Sequence, residues 1–130
     1  MADAHTVVYL FLVNSIAGVP VVFLLETEPG VVEFPRIELA VEETESEESL
    51  RRRVREATGM EVEISGFLDP PAEVPLEPRG SRILLARHVA GSPRITLPHV
   101  GWEWTSGREL MRMPFAPKVM MDELRSFMNV

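Results

Sequence analysis

The chain has 130 residues, 45% apolar and 25% charged, with a net charge of −7 and no cysteine, which is the size and make-up of one globular domain. No apolar stretch approaches the roughly 20 residues of a bilayer span, and the acidic balance argues against a broad nucleic-acid-binding face. The lack of cysteine excludes disulfides and thiolate metal sites together and makes a cytoplasmic location the default expectation.

In chain order, "TVVYLFLV" is too short and too strand-like for a secretory signal and predicts a buried strand from Thr6 to Val13. A second strand runs from Val21 to Leu25, and the Asn, Gly and Pro of "NSIAGVP" between them supply the turn of a hairpin. "ETEPG" closes it. Extended structure resumes from Val31 to Phe34, because Pro35 biases the residue before it away from the helical region.

A helix follows. Thr44 and Glu47 have capping-box spacing, Leu50, Val54 and Ala57 define one apolar face, and Gly59 is placed to end the helix in the left-handed conformation. Met60, Val62 and Ile64 then alternate with Glu61, Glu63 and Ser65, the period of a strand with one buried face. "DPPAEVPLEPRG", with four prolines, predicts a long loop of the kind that shapes a ligand entrance. Arg82 to Val89 and Val100 to Trp104 are strands around the turn "AGSPR". Ser106 with Glu109 opens a short helix to Met113, and Pro117 opens the last, Lys118 to Met128. The expectation is a single domain over residues 1–130 of α+β class, an α/β/α sandwich with a mixed sheet flanked by helices.

The charges on the central helix have a plain explanation. Glu47 with Arg51, Glu48 with Arg52, and Arg52 with Glu56 all have i,i+4 spacing, which predicts a solvated ladder. Two alternatives stand beside it: forked contacts from Arg52, Arg53 or Arg55 to a ligand phosphate, or a residual metal at Glu56. The acidic run Glu42 to Glu48 suits a helix N-terminus and is, secondarily, a divalent-ion patch. Trp102 and Trp104 flank Glu103; core packing is their first reading and stacking on a nucleobase their second. His5, His88 and His99 have no metal or triad spacing, and neither a nucleophile elbow nor a Gly-rich phosphate loop is present. Met111, Met113, Met120, Met121 and Met128 are explained first by core packing and second by a homodimer surface.

The order of these elements resembles the Nudix superfamily, whose signature is G, five residues, E, seven residues, then R-E-U-x-E-E-x-G-U with U aliphatic. Laid on this chain, R-E falls on Arg52 and Arg53, U on Val54, E-E on Glu56 and Ala57, and G-U on Gly59 and Met60. "EFPRIEL", "ILLARHVAGSPR" and "EWTSGREL" resemble further family passages in the same order. The resemblance implies a Nudix-like fold and hydrolysis of a nucleoside diphosphate linked to another moiety, by water attack on phosphorus with Mg²⁺ or Mn²⁺. It would assign Glu56, Glu43 and Glu103 as a makeshift metal and catalytic set.

The departures fall on the chemistry. Arg53 and Ala57 replace two of three helix carboxylates, Arg36 and Ile37 replace the glycines after Phe34-Pro35, and the first Glu has only approximate stand-ins in Glu42, Glu43 or Glu45. A guanidinium a few ångströms from a dication adds repulsion of about 1 to several kcal/mol, and Glu56 is spaced to pair with Arg53 instead. The preferred expectation is a domain with a degraded box, weakly active or inactive, that binds a nucleotide-like small molecule or a protein partner. The alternative is a divergent metal-dependent hydrolase.

Overall fold

The computed structural model describes residues 5–29, 31–68, 81–94 and 99–106. They form seven strands, β1 (His5–Ile16), β2 (Val19–Glu28), β3 (Val31–Glu33), β4 (Arg36–Ala40), β5 (Glu61–Leu68), β6 (Arg82–Ala90) and β7 (Gly101–Ser106), with one α-helix, α1 (Glu47–Thr58), and a 3₁₀ turn over Val41–Glu45.

The β1–β2 hairpin is tighter than the sequence suggests. Val13 to Ile16 pair with Val19 to Val22, which leaves Ala17 and Gly18 as a two-residue turn with φ of 53° and 79°. Two positive φ values match the right-handed twist of a hairpin, and only the second residue is a glycine, so Ala17 carries the strain. The two strands then part. β3 pairs with the second half of β2 and β4 with the first half of β1, so the segment around Pro35 wedges between them, held by the Leu10 N–H on the Pro35 carbonyl at 2.8 Å. β6 lies parallel to β1 on the other edge, β5 is antiparallel to β6, and β7 closes the far side against β2. The expected mixed sheet is what forms.

α1 covers one face of this sheet. Leu50 and Val54 pack with Val8, Leu10, Leu12, Met60, Val62, Leu84 and Ala86, and burying each large aliphatic side chain contributes roughly 1.5–3 kcal/mol. The other face is equally dry, since Phe11, Leu24 and Ile83 are fully buried. Two details of the helix differ from expectation. Its N-cap is Ser46, whose Oγ accepts the Ser49 N–H at 3.2 Å, while the Thr44 hydroxyl is spent on the Val41 carbonyl inside the 3₁₀ turn. The third buried position is Thr58 rather than Ala57. A buried hydroxyl is acceptable there because it donates to the Val54 carbonyl at 2.7 Å.

Gly59 ends α1 in the left-handed conformation, φ 80°, as its position predicts. The described helix is not long and apolar enough to cross a membrane. The proline-rich loop of residues 69–80, the helices expected after Ser106 and over 118–128, and the methionine surface of residues 111–128 lie outside the described residues.

A Cβ at Gly59 would meet Arg94 Cγ at 2.8 Å and the Ser92 carbonyl at 2.9 Å, so Gly59→Ala combines backbone strain with a clash. The variant is expected to lose about 2 kcal/mol of unfolding free energy in urea, beyond the roughly 1 kcal/mol of the left-handed conformation alone. An unchanged midpoint would show that the turn after β6 is not fixed against α1.

Candidate functional site

α1 presents its outer face to a shallow basin of about 600 Å³ lined by Glu43, Arg52, Arg53, Glu56 and Ala57. The register of the helix dictates this lining. With Leu50, Val54 and Thr58 turned into the core, residues 53, 56 and 57 fall together on the flank that faces the 3₁₀ turn.

Arg53 is the centre of the basin. Its Nη1 donates to both carboxylate oxygens of Glu43, at 3.1 and 3.0 Å, its Nη2 donates to the Glu38 carbonyl at 3.2 Å, and its Nε lies 3.5 Å from Glu56 Oε1. The guanidinium is about one-third exposed and Glu43 less so, at 32% and 22%. Its rigid fork therefore ties α1 to β4 and to the 3₁₀ turn at once. Glu43 also accepts the Ala40 N–H at 2.9 Å. That backbone hydrogen bond, and then the one from Arg53, hold its carboxyl below the ordinary carboxylate range.

Glu43 and Glu56 are thus brought together, with a cation of the chain's own between them. The i,i+4 ladder expected on α1 does not form among the described residues. The helix pairs instead through Arg53–Glu43, Arg53–Glu56 and a long Arg55–Glu61 contact at 3.9 Å. Glu56, expected opposite Arg52, lies against Arg53 instead, and the other ladder residues stay exposed, where a pair of charges gains little. Arg52 and Arg55 line a second groove of about 540 Å³ between α1 and β5, where Glu47, Glu48, Glu61 and Glu63 offset their charge.

Glu103 does not join Glu43 and Glu56. It is in register with Leu24, whereas Trp104 and Trp102 oppose Phe23 and Leu25. Facing residues of an antiparallel pair share a side. The tryptophans therefore lie on the α1 side of the sheet and Glu103 on the reverse. Trp102 and Trp104 stand 6.0 and 5.3 Å from the Phe23 ring, and His88 meets Trp104 edge-on at 5.6 Å. His88 Nε2 donates to the Gly91 carbonyl at 2.8 Å. Trp102 is 39% exposed, so this cluster is part core and part surface.

A bound divalent cation does not fit the basin as it stands. A hard cation needs several free oxygen ligands, and both carboxylates here are engaged by a fixed positive charge. Among the described residues no group of three or more His, Asp or Glu has metal-binding geometry.

One contributor was not found from the sequence. Arg94 N–H donates to the Thr58 carbonyl at 2.9 Å, and its Nη2 reaches the Arg55 and Glu56 carbonyls at 3.2 and 3.3 Å. It caps the negative end of α1 from 36 to 39 residues away in sequence, so no local pattern reveals it.

No protein-family model matches the chain, and no curated protein matches its sequence. Its three-dimensional likeness is to Nudix structures. The Ap4A hydrolase of C. elegans, solved as a binary complex, superposes with a TM-score of 0.67 at 18% identity, over 95% of each chain. The NUDIX domain of Shewanella oneidensis NrtR, solved with ADP ribose, gives 0.61 at 15% identity, over 97% of this chain and 88% of that one. The C-terminal domain of mouse MUTYH, solved in complex with human PCNA, gives 0.54 at 14%, over 95% and 88%. The fold is Nudix-like. Activity does not follow from fold alone.

The lowered Glu43 pKa fixes the sign of a pH effect. Stability from this carboxylate is present above the ordinary Glu value of about 4.3 and is lost as pH falls through the lower folded value. Glu43→Gln is therefore expected to be less stable at pH 7 and to converge with the parent near pH 2 in urea midpoints. Parallel curves would show that the Glu43 carboxylate gains nothing from the Ala40 N–H and Arg53 together.

Proposed function

We propose that this is a cytoplasmic Nudix-fold domain that binds a nucleotide-like ligand without hydrolysing it. The observation that carries this reading is the Arg53 guanidinium held between Glu43 and Glu56. Hydrolysis of a phosphoanhydride through a metal clamp needs those carboxylates on a dication that orients water and neutralises the leaving group. Here they neutralise an arginine, and Ala57 supplies only a methyl group at the neighbouring position.

The binding side of the reading rests on Trp102 and Arg52. Trp102 leaves part of its ring open beside Phe23, a surface on which a base can stack. Arg52 lines both grooves beside α1, and, like Arg51, it makes no ion pair with a carboxylate among the described residues. A ligand with a planar ring and phosphate groups has chemistry that matches these two side chains. The relatives solved with ADP ribose and as an Ap4A hydrolase complex make those two compounds the first to try.

Calorimetric titration of both compounds, in EDTA and in Mg²⁺, tests the reading. Binding in EDTA with no product release is expected. Trp102→Ala should weaken it about tenfold or more, the effect of losing one base–aromatic stack of roughly 1–3 kcal/mol. Mg²⁺-dependent turnover abolished by Glu56→Gln would establish the hydrolase instead. Silence toward both compounds would favour a protein partner, the use seen in the MUTYH domain complex with PCNA.

A further inference from the structure

Oxygen groups from three successive elements converge on one cationic centre: the Glu38 carbonyl of β4, the Glu43 carboxylate of the 3₁₀ turn, and the Glu56 carboxylate of α1. Carbonyl and carboxylate oxygens are what a hard cation takes as ligands. In this chain the charge they surround is covalently attached. We infer that Arg53 is a resident cation, a tethered positive charge that replaces a bound ion and locks β4, the 3₁₀ turn and α1 together without one.

The guanidinium suits the task because its planar fork sends separate N–H groups to separate acceptors, whereas a lysine ammonium is a single point. Arg53 reaches β4, fifteen residues back in sequence, through a backbone carbonyl, so the contact is independent of the side chain at position 38. Glu43 is oriented for it by the Ala40 N–H, which donates to the carboxylate oxygen Oε1 at 2.9 Å. A tether also removes any dependence on ion concentration. The clamp is expected to hold equally with and without divalent metal.

The inference builds on the proposed loss of hydrolysis, and its test uses no nucleotide, so that either can fail alone. Thermal unfolding and Mn²⁺ calorimetry are compared for the parent, Arg53→Gln and Arg53→Lys. The parent should melt at one temperature in EDTA and in millimolar Mn²⁺. Arg53→Gln should melt roughly 5 °C lower, recover several degrees in Mn²⁺, and show a saturable heat with that ion. Arg53→Lys keeps the charge and loses the fork, so it should melt below the parent and ignore Mn²⁺. If Arg53→Gln is unfolded in EDTA, refolding on Mn²⁺ supports the inference and failure to refold overturns it. It is also overturned by Arg53→Gln melting like the parent, by a folded Arg53→Gln that ignores Mn²⁺, by Arg53→Lys responding as Arg53→Gln does, or by saturable Mn²⁺ binding to the parent.

Discussion

The contact of Arg53 with Glu43 organises the α1 side of this molecule. A carboxylate in a 3₁₀ turn and an arginine on the following helix meet ten residues apart in sequence, and each is prepared by local structure. Glu43 is oriented by the Ala40 N–H. Arg53 is aimed by the phase of a helix whose N-cap is Ser46 and whose far end is fixed by Gly59 and Arg94. Shift that phase by one residue and Arg52 or Val54 would face the turn. The buried trio of Leu50, Val54 and Thr58 forbids the shift, since it would expose two aliphatic side chains. Core packing thereby sets the electrostatics of the basin.

The rest of the α1 side divides into a charged region beside the helix and an aromatic region on β7 and β2. The β7 register fixes that division, placing Trp102 and Trp104 with Phe23 and sending Glu103 through to the reverse. The turn after β6 touches both regions. His88 holds the Gly91 carbonyl while resting against Trp104, and three residues later Arg94 grips the end of α1. Gly91 has no room for a side chain there, because a Cβ would lie 2.7 Å from the Gly59 carbonyl. Two glycines in close approach join the helix to the sheet.

Much of this was legible in the sequence, for physical reasons that differ by element. The β1–β2 hairpin, the alternation of β5 and the glycine stop of α1 are local patterns, and local patterns survive folding when the core agrees with them. The competition between Arg53 and a metal was legible too, because Glu56 lies one helical turn away. The N-cap was misplaced by two residues because Thr44, Ser46 and several Glu residues offer overlapping capping patterns, and the 3₁₀ turn takes the first. The charge ladder of α1 fails for another reason: helical spacing shows which partners are near, but exposed charges gain little by meeting, and Glu56 lies against Arg53 instead. Glu43 as the partner of Arg53, the Glu38 carbonyl and Arg94 arise from the meeting of separate elements, and no periodicity announces them. The face of Glu103 depended on register, which flips with a shift of one residue.

The fold is Nudix-like, and two carboxylates beside α1 face the Arg53 guanidinium. Anomalous scattering at the manganese edge, from crystals of the unaltered chain grown in millimolar Mn²⁺, examines that claim at the atoms concerned. The account predicts the Arg53 guanidinium between Glu43 and Glu56 with no manganese peak in the basin. A peak ligated by both carboxylates, with the Arg53 side chain swung away, would contradict it.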